Sequence, residues 1–68
     1  MKAVTGNRFC AVLAARGWQL RRINGSHHIY MKAGIPARIS VPVPGGKVLK
    51  RGLQRHLMKT ARIGESEL

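Results

Sequence analysis

The sequence predicts an α+β fold, one three-stranded antiparallel sheet with two helices on one face, in the order α-β-β-β-α. Three observations carry this prediction. Apolar residues recur at helical spacing near both ends of the chain. They alternate at strand spacing in its middle, and an Asn-Gly pair interrupts that alternation where a tight hairpin turn belongs. At 68 residues the chain is one small domain spanning 1–68. A core of this size leaves room for added stability from a homodimer or a hetero-oligomer with a partner.

Residues 1–4 read as a frayed lead-in. Thr5 or Asn7 caps a first helix running to about residue 16, with Phe9, Val12 and Leu13 at i, i+3 and i+4. Gly17 is the expected C′ stop. Residues 18–23 then alternate as a strand. With Asn24-Gly25 as a two-residue loop, Arg22 pairs with His27, Arg21 with His28 and Leu20 with Ile29. One face then carries Trp18, Leu20, Ile29 and Met31 toward the helices and ends in Arg22 and His27. The other carries Gln19, Arg21, Ile23, His28, Tyr30 and Lys32. Residues 33–36 read as a connection, and 38–43 as a third strand with Ile39, Val41 and Val43 on one side. Pro42 cannot donate to a ladder, so that strand lies at an edge or ends there. Pro44-Gly45-Gly46 breaks the chain. Leu49, Leu53, Leu57 and Ala61 mark a second helix ended by Gly64, and residues 65–68 read as a tail.

Charge narrows the chemistry. Thirteen Lys and Arg stand against two acidic residues, a formal charge of +11. Both acids, Glu65 and Glu67, lie at the end, so residues 1–64 contain no carboxylate side chain. This excludes paired-carboxylate catalysis, a Ser-His-Asp triad and an oxygen-rich Mg²⁺ or Ca²⁺ cage in the body of the domain. Cys10 is alone, which excludes an internal disulfide and a Cys-rich zinc site; it reads as a small buried apolar residue. No metal or cofactor is expected. A field so uniformly positive favours a polyanion, nucleic acid first. No apolar run approaches the ~20 residues that span a bilayer, and the first residues lack the apolar stretch of a signal peptide. The expectation is a cytoplasmic protein without a membrane partner.

Two adjacent histidines follow the turn, and two arginines precede it. Metal-free RNA cleavage requires that a 2′-hydroxyl lose a proton and a leaving oxygen gain one. Histidine performs either transfer, typically for ~10²–10⁴-fold in rate. Arginine's planar fork suits a phosphate. Taken alone, His27 reads as a half-buried residue closing the core, and His28 as solvent-facing or only touching RNA.

The residues together resemble a known family. A first helix ending in Gly17-Trp18 precedes a basic strand. Gly25-Ser26-His27-His28-Ile29-Tyr30 follows, then Val41-Pro42-Val43, then Leu49-Lys50-Arg51-Gly52 leading into a basic helix. This is similar to the HicA-type mRNA interferase toxins of bacterial toxin–antitoxin pairs, over residues 5–63. The resemblance implies a double-stranded-RNA-binding-domain-like fold, mRNA cleavage through one histidine, and inhibition by a HicB-type antitoxin. The family's histidine directly after Gly-Ser maps onto His27; a variant spacing maps onto His28. Arg21, Arg22, Gly25, Ser26, Tyr30, Lys32, Lys50, Arg51 and Arg55 are the expected RNA contacts, with Tyr30 offering its ring for stacking. The chain departs from the family at Pro44, where many members carry a histidine, and at Gly52-Leu53-Gln54 in place of Gly-Thr-Leu. The alternative reading is a non-catalytic RNA-binding module of the same shape. A DNA-binding role is weaker, since no helix-turn-helix pattern is present.

Overall fold

Thr5 starts the first helix, α1 (Gly6–Ala15), by accepting the Arg8 amide on its side-chain oxygen at 3.1 Å. The helix stops as its glycine dictates. Gly17 takes φ 89; its amide reaches the Ala14 carbonyl, and the Trp18 amide reaches that of Leu13. Those two bonds form a Schellman cap. Three strands follow, β1 (Gln19–Asn24), β2 (His27–Lys32) and β3 (Ile35–Pro42), then α2 (Arg51–Ala61) and a single 3-10 turn, Glu65–Glu67. The computed structural model describes residues 1–43 and 46–68. Pro44, with its departure from the family pattern, lies outside the described residues.

The sheet is antiparallel in the order β1-β2-β3, which leaves β1 and β3 as edges. Pro42 ends the edge strand β3, where its missing N–H costs nothing. Phe9, Leu13, Trp18, Tyr30, Ile39, Val41, Leu57 and Met58 belong to one buried cluster, so both helices cover the same face of the sheet. The chain has the α+β, double-stranded-RNA-binding-domain-like order α-β-β-β-α. No described helix is long and apolar enough to cross a membrane.

Four expectations about elements are corrected. The connection between β2 and β3 is only Ala33-Gly34, with Gly34 at φ 83, and Ile35 and Pro36 already belong to β3. Pro36 fits there because the ladder is irregular between the Tyr30–Ile39 and Lys32–Ile35 pairs. The first residues are not frayed. Val4 is buried, its carbonyl accepts from Leu49 and its amide donates to the Gln54 side chain, whose Nε2 donates to the Lys2 carbonyl at 2.6 Å. Helix α2 ends at Arg62 rather than Gly64. Arg62 takes the left-handed conformation, φ 58 and ψ 44, while the Ile63 amide reaches the Met58 carbonyl. The last residues are packed: Leu68 is buried, Glu67 pairs with Arg16, and the Gly64 amide donates to Glu67.

Candidate active site

The hairpin turn sets the site, and it differs from the Asn-Gly expectation by one residue. The loop is Gly25-Ser26, and Asn24 faces His27 as the last pair of the ladder. Gly25 has φ 63 and Ser26 has no positive φ, the sign pattern of a II′ turn, which needs glycine only at its first position. Below the turn, Ile23 pairs with His28 and Arg22 with Ile29. Arg21 is the extra residue of a bulge, and Leu20 resumes the ladder against Tyr30.

This register exchanges the two faces of β2 and of the turn end of β1, while the bulge returns Gln19 and Leu20 to the faces their alternation gives them. A one-residue slip turns every side chain of a strand over. The covered face carries Leu20, Ile23, His28, Tyr30, Ile39 and Val41, paired across the strands. Leu20 and Ile23 nevertheless remain 47% and 58% exposed, since every residue of edge strand β1 is exposed. The open face carries Arg22, Asn24, His27, Ile29, Ser40 and Pro42, with Gln19 beside Met31. Arg21 reaches toward Gln19 on that side, Nη1 to Oε1 at 3.5 Å. Ile29 and Met31 are therefore on the open face and not the core face, Leu20 is on the expected face but largely exposed, and Arg22 is not directly across from His27. It lies one pair further down on the same face.

His27 is exposed at the tip of the open face. Its neighbours across the strands are Asn24, which the Asn-Gly expectation put in the loop and a Gly-Ser loop puts beside it, and Pro42 of β3. The tip is fastened to β3 by the Val43 amide, which donates to the Ser26 carbonyl at 2.8 Å. A Cβ at Gly25 would meet nothing within 4 Å, so its role in the structure is the turn conformation.

His28 lies beneath the sheet, half-buried, with Nδ1 4.0 Å from the Cys10 sulfur. Burial pushes the Cys10 thiol up, with a hydrogen bond to Tyr30 opposing part of the rise. A thiol held protonated is a poor nucleophile. Tyr30 is pushed up to about 12, first by burial and then by Cys10. Tyr30 is 6% exposed as a residue and packed in the core beneath the sheet, which corrects the expectation that it offers its ring for stacking on bases. Trp18 is in the core, as its alternation suggested, and its buried indole N–H has no partner.

The remaining basic candidates separate. Lys32 lies at the far end of the hairpin, where its ammonium accepts no bond but donates to the Arg16 carbonyl at 2.7 Å, at the C-terminal end of α1. Arg51 and Arg55 line a cleft with Met1, Met58 and Glu65. Lys50 lines a different cleft, together with Lys47 and Pro42, the strand neighbour of His27. Arg21 and Arg22 thus lie on β1 below the turn and Lys50 lines the cleft that Pro42 shares, whereas Lys32, Arg51 and Arg55 lie elsewhere. Among the described residues no group of three His, Cys, Asp or Glu side chains is placed to hold a metal ion.

A family model described as the HicA toxin of bacterial toxin–antitoxin systems matches residues 6–63. The chain belongs to the HicA toxin family. It is therefore the toxin of a toxin–antitoxin pair. The match of this HicA chain begins at the first residue of α1 and ends at Ile63, just past α2. The match thus stops before the acidic turn that folds back onto Arg16. No curated protein matches the chain.

Proposed function

We propose that this HicA toxin is a metal-independent endoribonuclease that cuts mRNA in the cytoplasm through His27, and that a HicB-type antitoxin neutralises it by covering the open face of the sheet. The observation that carries this reading is the position of His27. It is exposed at the fastened tip of the hairpin, on the face that also bears Arg22.

The chemistry follows from those groups. The imidazole of His27 takes the proton of a 2′-hydroxyl as that oxygen attacks the adjacent phosphorus. The bond from phosphorus to the 5′-oxygen breaks, and the leaving oxygen takes a proton from water, leaving a 2′,3′-cyclic phosphate. Arg21 and Arg22 offset the charge that develops on the phosphoryl oxygens. The only negatively charged side chains, Glu65 and Glu67, belong to the final turn, where Glu67 is paired with Arg16, so none stands at the turn to repel the phosphate. His28 cannot supply the second proton to the same phosphate, because adjacent strand residues face opposite sides of the sheet and His28 abuts Cys10. An acidic partner suits so positive a surface and needs only to cover His27 to inhibit it.

The test is RNA cleavage in EDTA by the wild type, His27→Ala and His28→Ala, each checked for cooperative melting. His27→Ala should lower the rate ~10²–10⁴-fold with its melting curve unchanged, since that side chain is exposed. Loss with His28→Ala alone would move catalysis beneath the sheet and defeat the reading. RNA bound but never cut by the wild type would make the chain a non-catalytic RNA-binding module.

A further inference from the structure

Between the end of β3 and the start of α2 lies a cleft of about 420 Å³, lined by Pro42, Lys47, Val48, Leu49, Lys50 and Leu53. Its size falls within the range of small-molecule sites, ~300–1,000 Å³. Its walls are mostly apolar, and its only charged lining groups are two lysines. Val48 is 59% exposed, one of the few large apolar side chains left to solvent. The cleft adjoins His27 through Pro42, which is the partner of His27 in the β2–β3 ladder. Side chains of directly paired residues stand ~5 Å apart.

We propose that this cleft is a nucleotide subsite: a base of the RNA next to the cut phosphodiester lies against Val48, Leu49 and Leu53, while Lys47 and Lys50 hold flanking phosphates. The inference rests on the ribonuclease reading and adds where the neighbouring nucleotide goes. Apolar walls beside paired cations match one ligand chemistry, a flat weakly polar ring carried on a polyanion. A second copy of the chain would bring its own positive charge against the lysines. None of the lining side chains is an amide or a carboxylate, so none accepts a hydrogen bond from a base edge. Selection here depends on the presence and size of the base.

The test uses a short RNA oligomer and a set of otherwise identical oligomers, each abasic at one position. They are bound by the His27→Ala chain, which leaves them uncut, and by the same chain carrying Val48→Trp, which fills the cleft from its exposed rim. The Val48 chain should lose about tenfold in affinity, ~1.4 kcal/mol, at one abasic position. With Val48→Trp the intact oligomer should bind about tenfold more weakly, and that position should no longer matter. Melting temperatures of the two chains should agree. Unchanged or tighter RNA binding by Val48→Trp overturns the subsite, whether the cleft then takes a second copy or a protein partner, and wild-type cleavage of RNA would still stand. A wild-type chain that binds no RNA overturns both readings, and is recognised because it fails before any substitution is made.

Discussion

Arg62 has a backbone conformation that its side chain does not favour. It is the only non-glycine at positive φ among the described residues, and an L-residue there costs ~1–2 kcal/mol. Arg62→Gly removes that cost but adds freedom to the unfolded chain. A net gain of ~0.5–1 kcal/mol remains, to be read as a higher urea midpoint. Gly6 is the opposite case. Its φ is ordinary, but an added Cβ would collide with the Pro42 carbonyl oxygen and approach Val43 Cγ1 to 2.7 Å. Gly6→Ala should therefore destabilise by ~1–3 kcal/mol, by loss of space and not of freedom. Tyr30 gives a third prediction. Its pKa in the fold, about 12, lies above the ordinary value near ~10. The folded state therefore holds that proton more tightly. The associated stability is intact below pH ~10 and is lost as pH rises toward ~12. Tyr30 is the only tyrosine, so phenolate absorbance follows it directly, and an ordinary midpoint would show that burial does not act on it.

At the scale of elements, legibility divided along physical lines. Both helices, the three strands and the stop at Gly17 were legible, because helical spacing and a C′ glycine act within a few residues. The faces of β2 and of the turn end of β1 were not. Asn24-Gly25 and Gly25-Ser26 both make two-residue loops, and the two faces of β2 are similarly mixed, Ile29 and Met31 against His28 and Tyr30. Nothing local decides between them, and the bulge at Arg21 changes the register again. Thus the histidine after Gly-Ser was legible as a candidate, while the side of the sheet it occupies was not. The seam between the first residues and α2 was equally hidden. Gln54 is fully buried and bonds both the Val4 amide and the Lys2 carbonyl, partners about 50 residues away. Gln54→Leu keeps the volume and orphans those groups. It should cost ~1–3 kcal/mol, measured by chemical denaturation.

At the scale of the molecule, charge governs association more than stability. The Arg16–Glu67 pair lies at the surface, where such pairs contribute ~0–1 kcal/mol, so Glu67→Gln should scarcely alter the melting temperature. RNA binding should respond strongly instead. Single-stranded RNA releases about 0.7 counterion per phosphate neutralised. A double Lys47→Gln, Lys50→Gln chain should therefore show a salt slope shallower by ~1.4, measured by titration at several salt concentrations. An unchanged slope would show that those lysines touch no phosphate.

The burial of Trp18 has a consequence for observing this toxin at work. It is the chain's only tryptophan, 2% exposed on the helix side, with its indole N–H unpaired. Its emission should be blue-shifted in the fold and move to the red only on unfolding. RNA seated on the open face cannot stack on it, so a titration that saturates binding should leave the emission unchanged. The protein thus carries an intrinsic fluorophore that reports folding and should be silent to RNA held on the open face, and a strong quench on adding RNA would mean that the nucleic acid reaches the covered side.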